Sequence, residues 1–143
     1  MPFVAEDRES EEIMPTKKRV LIADTDNDLV TRLAFFFEDK GYVTTTAWNG
    51  QEALMQLRSQ QFEVILLSDY FADAKCEEIW RAIHRLPGKP TLVVLERLHS
   101  GPVMVNKLSD MSGDCVVRER SAYLIFESVH ECLTSRREMS VQV

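Results

Sequence analysis

The chain has 143 residues, 45% of them hydrophobic and 28% charged, with a formal net charge of −6. That length suits one domain with its own core, and the acidic balance argues against nucleic acid, which calls for a concentrated basic face. No run approaches the roughly 20 apolar residues of a membrane span, and the N-terminus "MPFVAEDRESEEIMPT" is acidic where a signal peptide starts basic, so a soluble, cytoplasmic protein is expected.

In chain order, residues 1–16 carry five acids and one Arg and read as an acidic, disordered leader. A domain is expected over 17–133, followed by a flexible tail over 134–143. "VLIAD" is a short β-branched run ending on Asp24, a buried strand feeding an acidic loop. "NDLVTRLAFFFEDKGY" repeats Leu29, Leu33, Phe36 and Phe37 at helical spacing, with Asp26 or Asn27 to cap it and Gly41 to end it. "YVTTTA" is strand-like, and "NGQEALMQLRSQQ" is a second helix with Ala53, Leu54 and Leu57 inward.

"FEVILLSDYF", Phe62 to Phe71, is apolar after Glu63 until Ser68-Asp69 arrives, the pattern of a strand buried on both faces that delivers polar groups to an edge. "CEEIWRAIHRL" gives a third helix, stopped by Pro87-Gly88. "PTLVVLE" is a fourth strand, "GPVMVNKLSDMSG" a short fourth helix, and "DCVVRE" a fifth strand. "SAYLIFESVHECL" closes as a fifth helix with Ala122, Ile125, Phe126, Val129 and Leu133 on one face.

Strands alternating with helices, and too apolar to face water, predict an α/β fold: a doubly wound five-stranded parallel sheet with helices on both faces. Function in such sheets gathers at the carboxyl ends of the strands. Those ends carry Asp24-Thr25-Asp26, Ser68-Asp69, Glu96-Arg97 and Arg118-Glu119. The edge is ionic, with neither GxGxxG nor GxxxxGK[ST] to cradle a nucleotide phosphate. Cys76, Cys115 and Cys132 are scattered and form no CxxC pair, so reduced thiols are expected rather than a zinc site or disulfide framework. His84, His99 and His130 show no ligand spacing.

From about Lys18 to Leu133 the chain resembles the receiver domain of bacterial two-component response regulators. "RVLIADTDNDLVTRLAFFFEDKGYVTTTAWNGQEALMQL" is similar to that family's opening strand, acidic loop and first two helices, and "FEVILLS" to the strand ending in its phosphoacceptor aspartate. The resemblance implies a flavodoxin-like (βα)5 fold. It also implies a site of two acids for Mg²⁺, an acceptor Asp, a Thr or Ser after the fourth strand and a Lys after the fifth. Such a site stabilises charge on a transferring phosphoryl group.

Matched position by position, Asp24 is the first acid, Thr25 stands for the second, and Asp26 is displaced by one residue. Ser68 takes the acceptor place when counted from Glu63, Glu96 that of the hydroxyl and Arg118 that of the Lys. Cys115 takes the place of an aromatic residue on the fifth strand. This pattern implies a degenerate receiver, or pseudo-receiver. Serine cannot form the acyl phosphate, Mg²⁺ loses charged oxygen ligands, and Arg118 is expected to bridge Asp24 or Glu96 as a bidentate pair filling the pocket.

The alternative is a working phosphorelay receiver phosphorylated at Asp69, with Mg²⁺ on Asp24, Asp26 and Asp69. It requires an early strand end or a bulge to turn Asp69 inward. Otherwise no cofactor is expected. A small enzyme is a third reading, without support from a GxSxG elbow or a Cys beside a His.

The chain ends soon after the fifth helix, so no attached output domain is expected. Output would then run through protein contacts: a histidine kinase, a phosphotransfer protein or another regulator. The resemblance implies a contact face on the fourth helix, fifth strand and fifth helix, which also offers a homodimer. Its candidates are Lys107, Asp110, Cys115, Arg118 and Tyr123, with Trp80 and Arg81 a lesser patch.

Overall fold

The computed structural model describes residues 18–96, 115–119 and 121–142. The elements in order are β1 (Arg19–Ala23), α1 (Asn27–Asp39), β2 (Val43–Ala47), α2 (Gly50–Ser59) and β3 (Val64–Ser68). They continue with α3 (Cys76–His84), β4 (Thr91–Leu95), β5 (Cys115–Val117) and α4 (Ala122–Gln142). The leader, and the helix expected over "GPVMVNKLSDMSG", lie outside the described residues, so α4 is the fifth helix of the sequence reading.

All five strands pair in parallel in the order β2-β1-β3-β4-β5, as the alternation of elements predicts. Strand alternation divides the apolar residues into two cores. Leu21, Ala23, Ile65, Leu67, Leu92 and Val94 face α2 and α3. Val20, Ile22, Val64, Leu66, Val93 and Leu95 face α1 and α4. The central strand β3 is buried along its whole length, which is why its sequence is a continuous apolar run. β2 lies at an edge and is half-buried through Thr44, Thr45 and Thr46.

Local signals set the helix ends. Asp26 caps α1 by accepting the Leu29 N–H at 3.1 Å. The chain leaves that helix through Gly41, whose φ of +95° favours glycine. Asn49 caps α2 by accepting the Glu52 N–H at 2.8 Å, and Glu52 in return accepts the Trp48 N–H at 2.7 Å. Trp80 is half-buried against the α2/α3 core, so it helps cover the sheet.

Two expectations are corrected. α4 runs on to Gln142, past Leu133, so the stretch expected as a tail is helical to that point; no Gly or Pro interrupts 122–142. Cys115 on β5 and Cys132 on α4 are joined in a disulfide instead of standing as separate thiols. They stand 17 positions apart in sequence, and only the folding of α4 against the edge strand brings them together.

Candidate functional site at the carboxyl edge of the sheet

The register of β1 on β3 sets Ala23 opposite Leu67, so Asp24 and Ser68, one residue further on, end adjacent strands at the same level. Backbone bonds carry the sheet beyond each strand. The Asp24 N–H donates to Ala47 O at 3.1 Å, the Asp69 N–H to Leu95 O at 3.1 Å, and the Glu96 N–H to Val117 O at 2.8 Å. Asp24, Asp69 and Glu96 are thereby held at one edge by the scaffold rather than by free loops.

Burial singles out the same place. Among the described residues, the buried polar side chains are Asp24 at 2% exposure, Ser68 at 2% and Asp69 at 0%. All the other buried side chains there are apolar. Keeping two acids inside is costly unless their partners are good, so this concentration at one edge marks a site in physical terms. β3 ends at Ser68, and Asp69 is nonetheless fully buried. In the loop that follows, Phe71 is buried at 3% in the α2/α3 core.

Each polar group has a definite local role. Asp24 Oδ1 accepts the Asp26 N–H at 2.9 Å, which shapes the turn into α1. Asp26 is exposed and serves as the α1 cap. Thr25 is exposed. The Ser68 hydroxyl folds onto its own loop, donating to Tyr70 O at 3.3 Å and accepting the Tyr70 N–H at 3.5 Å.

The expected guanidinium–carboxylate pair is there, in a different form. Arg118 Nε donates to Glu96 Oε1 at 2.6 Å, and the contact runs through that one nitrogen. The Arg118 side chain is 72% exposed while Glu96 is 19% exposed. Arg118 therefore stands at the rim of the edge. The expectation of a pocket filled by a buried bidentate pair is corrected on that point. β5 ends at Val117, one residue short of Arg118, so the long side chain starts outside the ladder and reaches back along the surface.

A divalent cation of the Mg²⁺ type wants several charged oxygens around an octahedral centre. Among the described residues no group of three or more His, Cys, Asp or Glu is arranged to hold a metal. Asp26 is engaged as a helix cap and Thr25 is neutral, so the buried charged oxygens at this edge are those of Asp24 and Asp69.

Of the expected contact face, Cys115 is half-buried against the α1/α4 core and Tyr123 is 49% exposed. The Tyr123 hydroxyl donates to Glu127 Oε2 at 2.8 Å, and that bond with the adjacent carboxylate charge raises its pKa above the ordinary tyrosine value. Lys107, Asp110 and Arg97 lie outside the described residues.

One contact near the site escaped the sequence reading. Asp73, in the loop after β3, accepts the Gly50 N–H at 2.8 Å and the Gln51 N–H at 3.0 Å. Gln51 Nε2 returns a bond to Asp73 O at 3.0 Å. The loop beyond Asp69 is thus bound to the start of α2. Nothing in the sequence signals a cap supplied from so far along the chain; a local cap, Asn49, is already in place.

No protein-family profile matches the chain. Solved structures do. A CheY-like response regulator receiver domain protein from Methanospirillum hungatei is 19% identical, with a TM-score of 0.66 over 85% of this chain and 98% of that one. A chemotaxis response regulator of Vibrio cholerae is 17% identical, with a TM-score of 0.65 over 82% and 99%. The response regulator TrrA of Thermotoga maritima, solved in complex with Mg²⁺-BeF, is 21% identical, with a TM-score of 0.61 over 80% and 98%. These likenesses establish the CheY-like, flavodoxin-type fold. Among the described residues no helix is long and apolar enough to cross a membrane.

Proposed function

We propose that this chain is a receiver-like signalling module of a two-component or phosphorelay type system that works through protein–protein contacts, without orthodox aspartyl phosphorylation. The observation that carries this reading is the Glu96–Arg118 contact at 2.6 Å. By the resemblance, those two positions would be a hydroxyl and a Lys that bind phosphoryl oxygens. Here one is a carboxylate, which repels a phosphoryl group, and the other is a cation already engaged by it. The neutral Thr25 and the capping role of Asp26 weaken metal binding in the same direction. The partners proposed are a histidine kinase, a phosphotransfer protein or another regulator, met in the cytoplasm, with no catalytic activity of the module's own.

A second reading has one observation in its favour. Asp69 follows β3 next to the strand that leads to Asp24, which brings two carboxylates to one sheet edge, as Mg²⁺-assisted phosphoacceptor chemistry calls for. Incubation with acetyl phosphate and Mg²⁺, followed by intact mass measurement, separates the two. An unchanged mass supports the contact-only module. A gain of one phosphoryl group that disappears in Asp69→Asn replaces it with a working phosphorelay receiver.

A further inference from the structure

We infer that the groove between α2 and α3 is a docking site for a short acidic, amphipathic segment of a partner protein. The groove is about 430 Å³. Its floor is apolar: Leu57 is buried at 1%, and Ala82 and Leu86 are half-buried against the core below. Its walls are basic, with Arg58 from α2 and Arg81 and Arg85 from α3, all three exposed. Glu78 is the one acid of the lining, and Glu77 reaches Arg81 only at 3.9 Å through two largely exposed side chains, too loosely to neutralise it.

Three arginines lining one groove with a partly apolar floor are unexpected on a chain of net charge −6. Their position adds to the argument. In a β-α-β crossover each helix runs back against its strand, so these residues, late in α2 and at the end of α3, stand at the amino edge of the sheet. The buried acids Asp24 and Asp69 lie at the opposite, carboxyl edge. The apolar floor asks for apolar side chains beside those acids, as an amphipathic helix offers to a groove. The overall negative charge disfavours long polyanions such as duplex nucleic acid and anionic membrane surfaces, which would meet the whole molecule rather than one cleft. The docking does not depend on whether Asp69 takes a phosphoryl group, so the two proposals fail separately.

The test uses the full chain and a fluorescein-labelled peptide of repeating Leu-Glu-Glu-Leu, read by anisotropy and by backbone amide NMR shifts. Control peptides carry Ser for Leu or Lys for Glu. Saturable binding of the first peptide alone is expected, with shifts centred on Leu57 and Ala82. The doubly substituted Arg81→Glu, Arg85→Glu chain, folded by circular dichroism, should bind about tenfold more weakly or worse. No binding, equal binding of the Lys peptide, or binding that survives the charge reversal overturns the assignment. So does binding seen only after Glu6, Asp7, Glu9, Glu11 and Glu12 are changed to Gln, because the occupant would then be the chain's own N-terminal acids.

Discussion

Asp73 binds Gly50 across the top of the α2/α3 face, its Oδ1 accepting the Gly50 N–H at 2.8 Å. A Cβ at Gly50 would stand 2.5 Å from Ala74 Cβ, 3.0 Å from Asp73 Oδ1 and 3.1 Å from Phe71 Cβ. Ala74 Cβ is fixed to the backbone and cannot swing aside, so Gly50→Ala must displace the loop that follows Asp69. Overpacking of that kind costs about 1–3 kcal/mol. Urea unfolding of the variant should show this loss, although alanine favours a helix over glycine by up to about 1 kcal/mol. A Gly50→Ala chain more stable than the parent would mean that the loop is not seated on α2.

The same contact predicts a pH dependence. Burial is the largest single influence on the Asp73 carboxyl and raises its pKa. The N–H groups of Gln51, Gly50 and Asp73 itself together outweigh it and hold the pKa below the ordinary aspartate value. A carboxyl with a lowered folded pKa stabilises the native state fully above its unfolded pKa of about 3.9, and that contribution fades as pH falls through the folded value. Asp73→Ala should therefore cost about 1 kcal/mol near neutrality, the usual loss for a helix cap. The gap between parent and variant should narrow below about pH 4. A gap independent of pH would remove the charged cap from the explanation.

Much of this was readable from residue order. The apolar runs "VLIAD" and "VILLS", each buried along its length, point to a doubly wound sheet, because only strands covered on both faces tolerate so little polarity. Asp24, Ser68 and Asp69 could be placed at its carboxyl edge for the same reason. Side-chain direction after a strand end was not readable. Alternation stops there, and Ser68 and Asp69 are both buried on a strand whose two faces are covered, so burial alone does not give their directions. The reach of Asp73 to α2, the exposure of Arg118 and the meeting of Cys115 with Cys132 all depend on tertiary placement that no local pattern encodes.

That cysteine pair gives the third prediction. Cys115 and Cys132 are bonded across a sequence separation of 17 residues, for which loop-closure entropy gives about 3 kcal/mol. Of the three cysteines, one should alkylate in denaturant before reduction and three after it. Cys115→Ser and the Cys115→Ser, Cys132→Ser double variant should lose equal stability under oxidising conditions, and reductant should bring the parent down to their level. Three adducts without reductant would show that the thiols stay separate.

Arg118 and Glu96 should respond unequally to loss of the other. The guanidinium is 72% exposed, whereas the carboxylate is 19% exposed. Removing Glu96 leaves a cation that water solvates well, so Glu96→Gln should change stability by less than about 0.5 kcal/mol. Removing Arg118 strands a largely buried carboxylate without its charge partner, and Arg118→Ala should cost about 1 kcal/mol. The coupling between the two in a double-mutant cycle should stay under about 1 kcal/mol, because one side of the pair is open to solvent. It should shrink further at high salt. A coupling of about 3 kcal/mol or more would instead indicate a desolvated pair. Arg118 would then close over the acids at the sheet edge, and the rim position would be wrong.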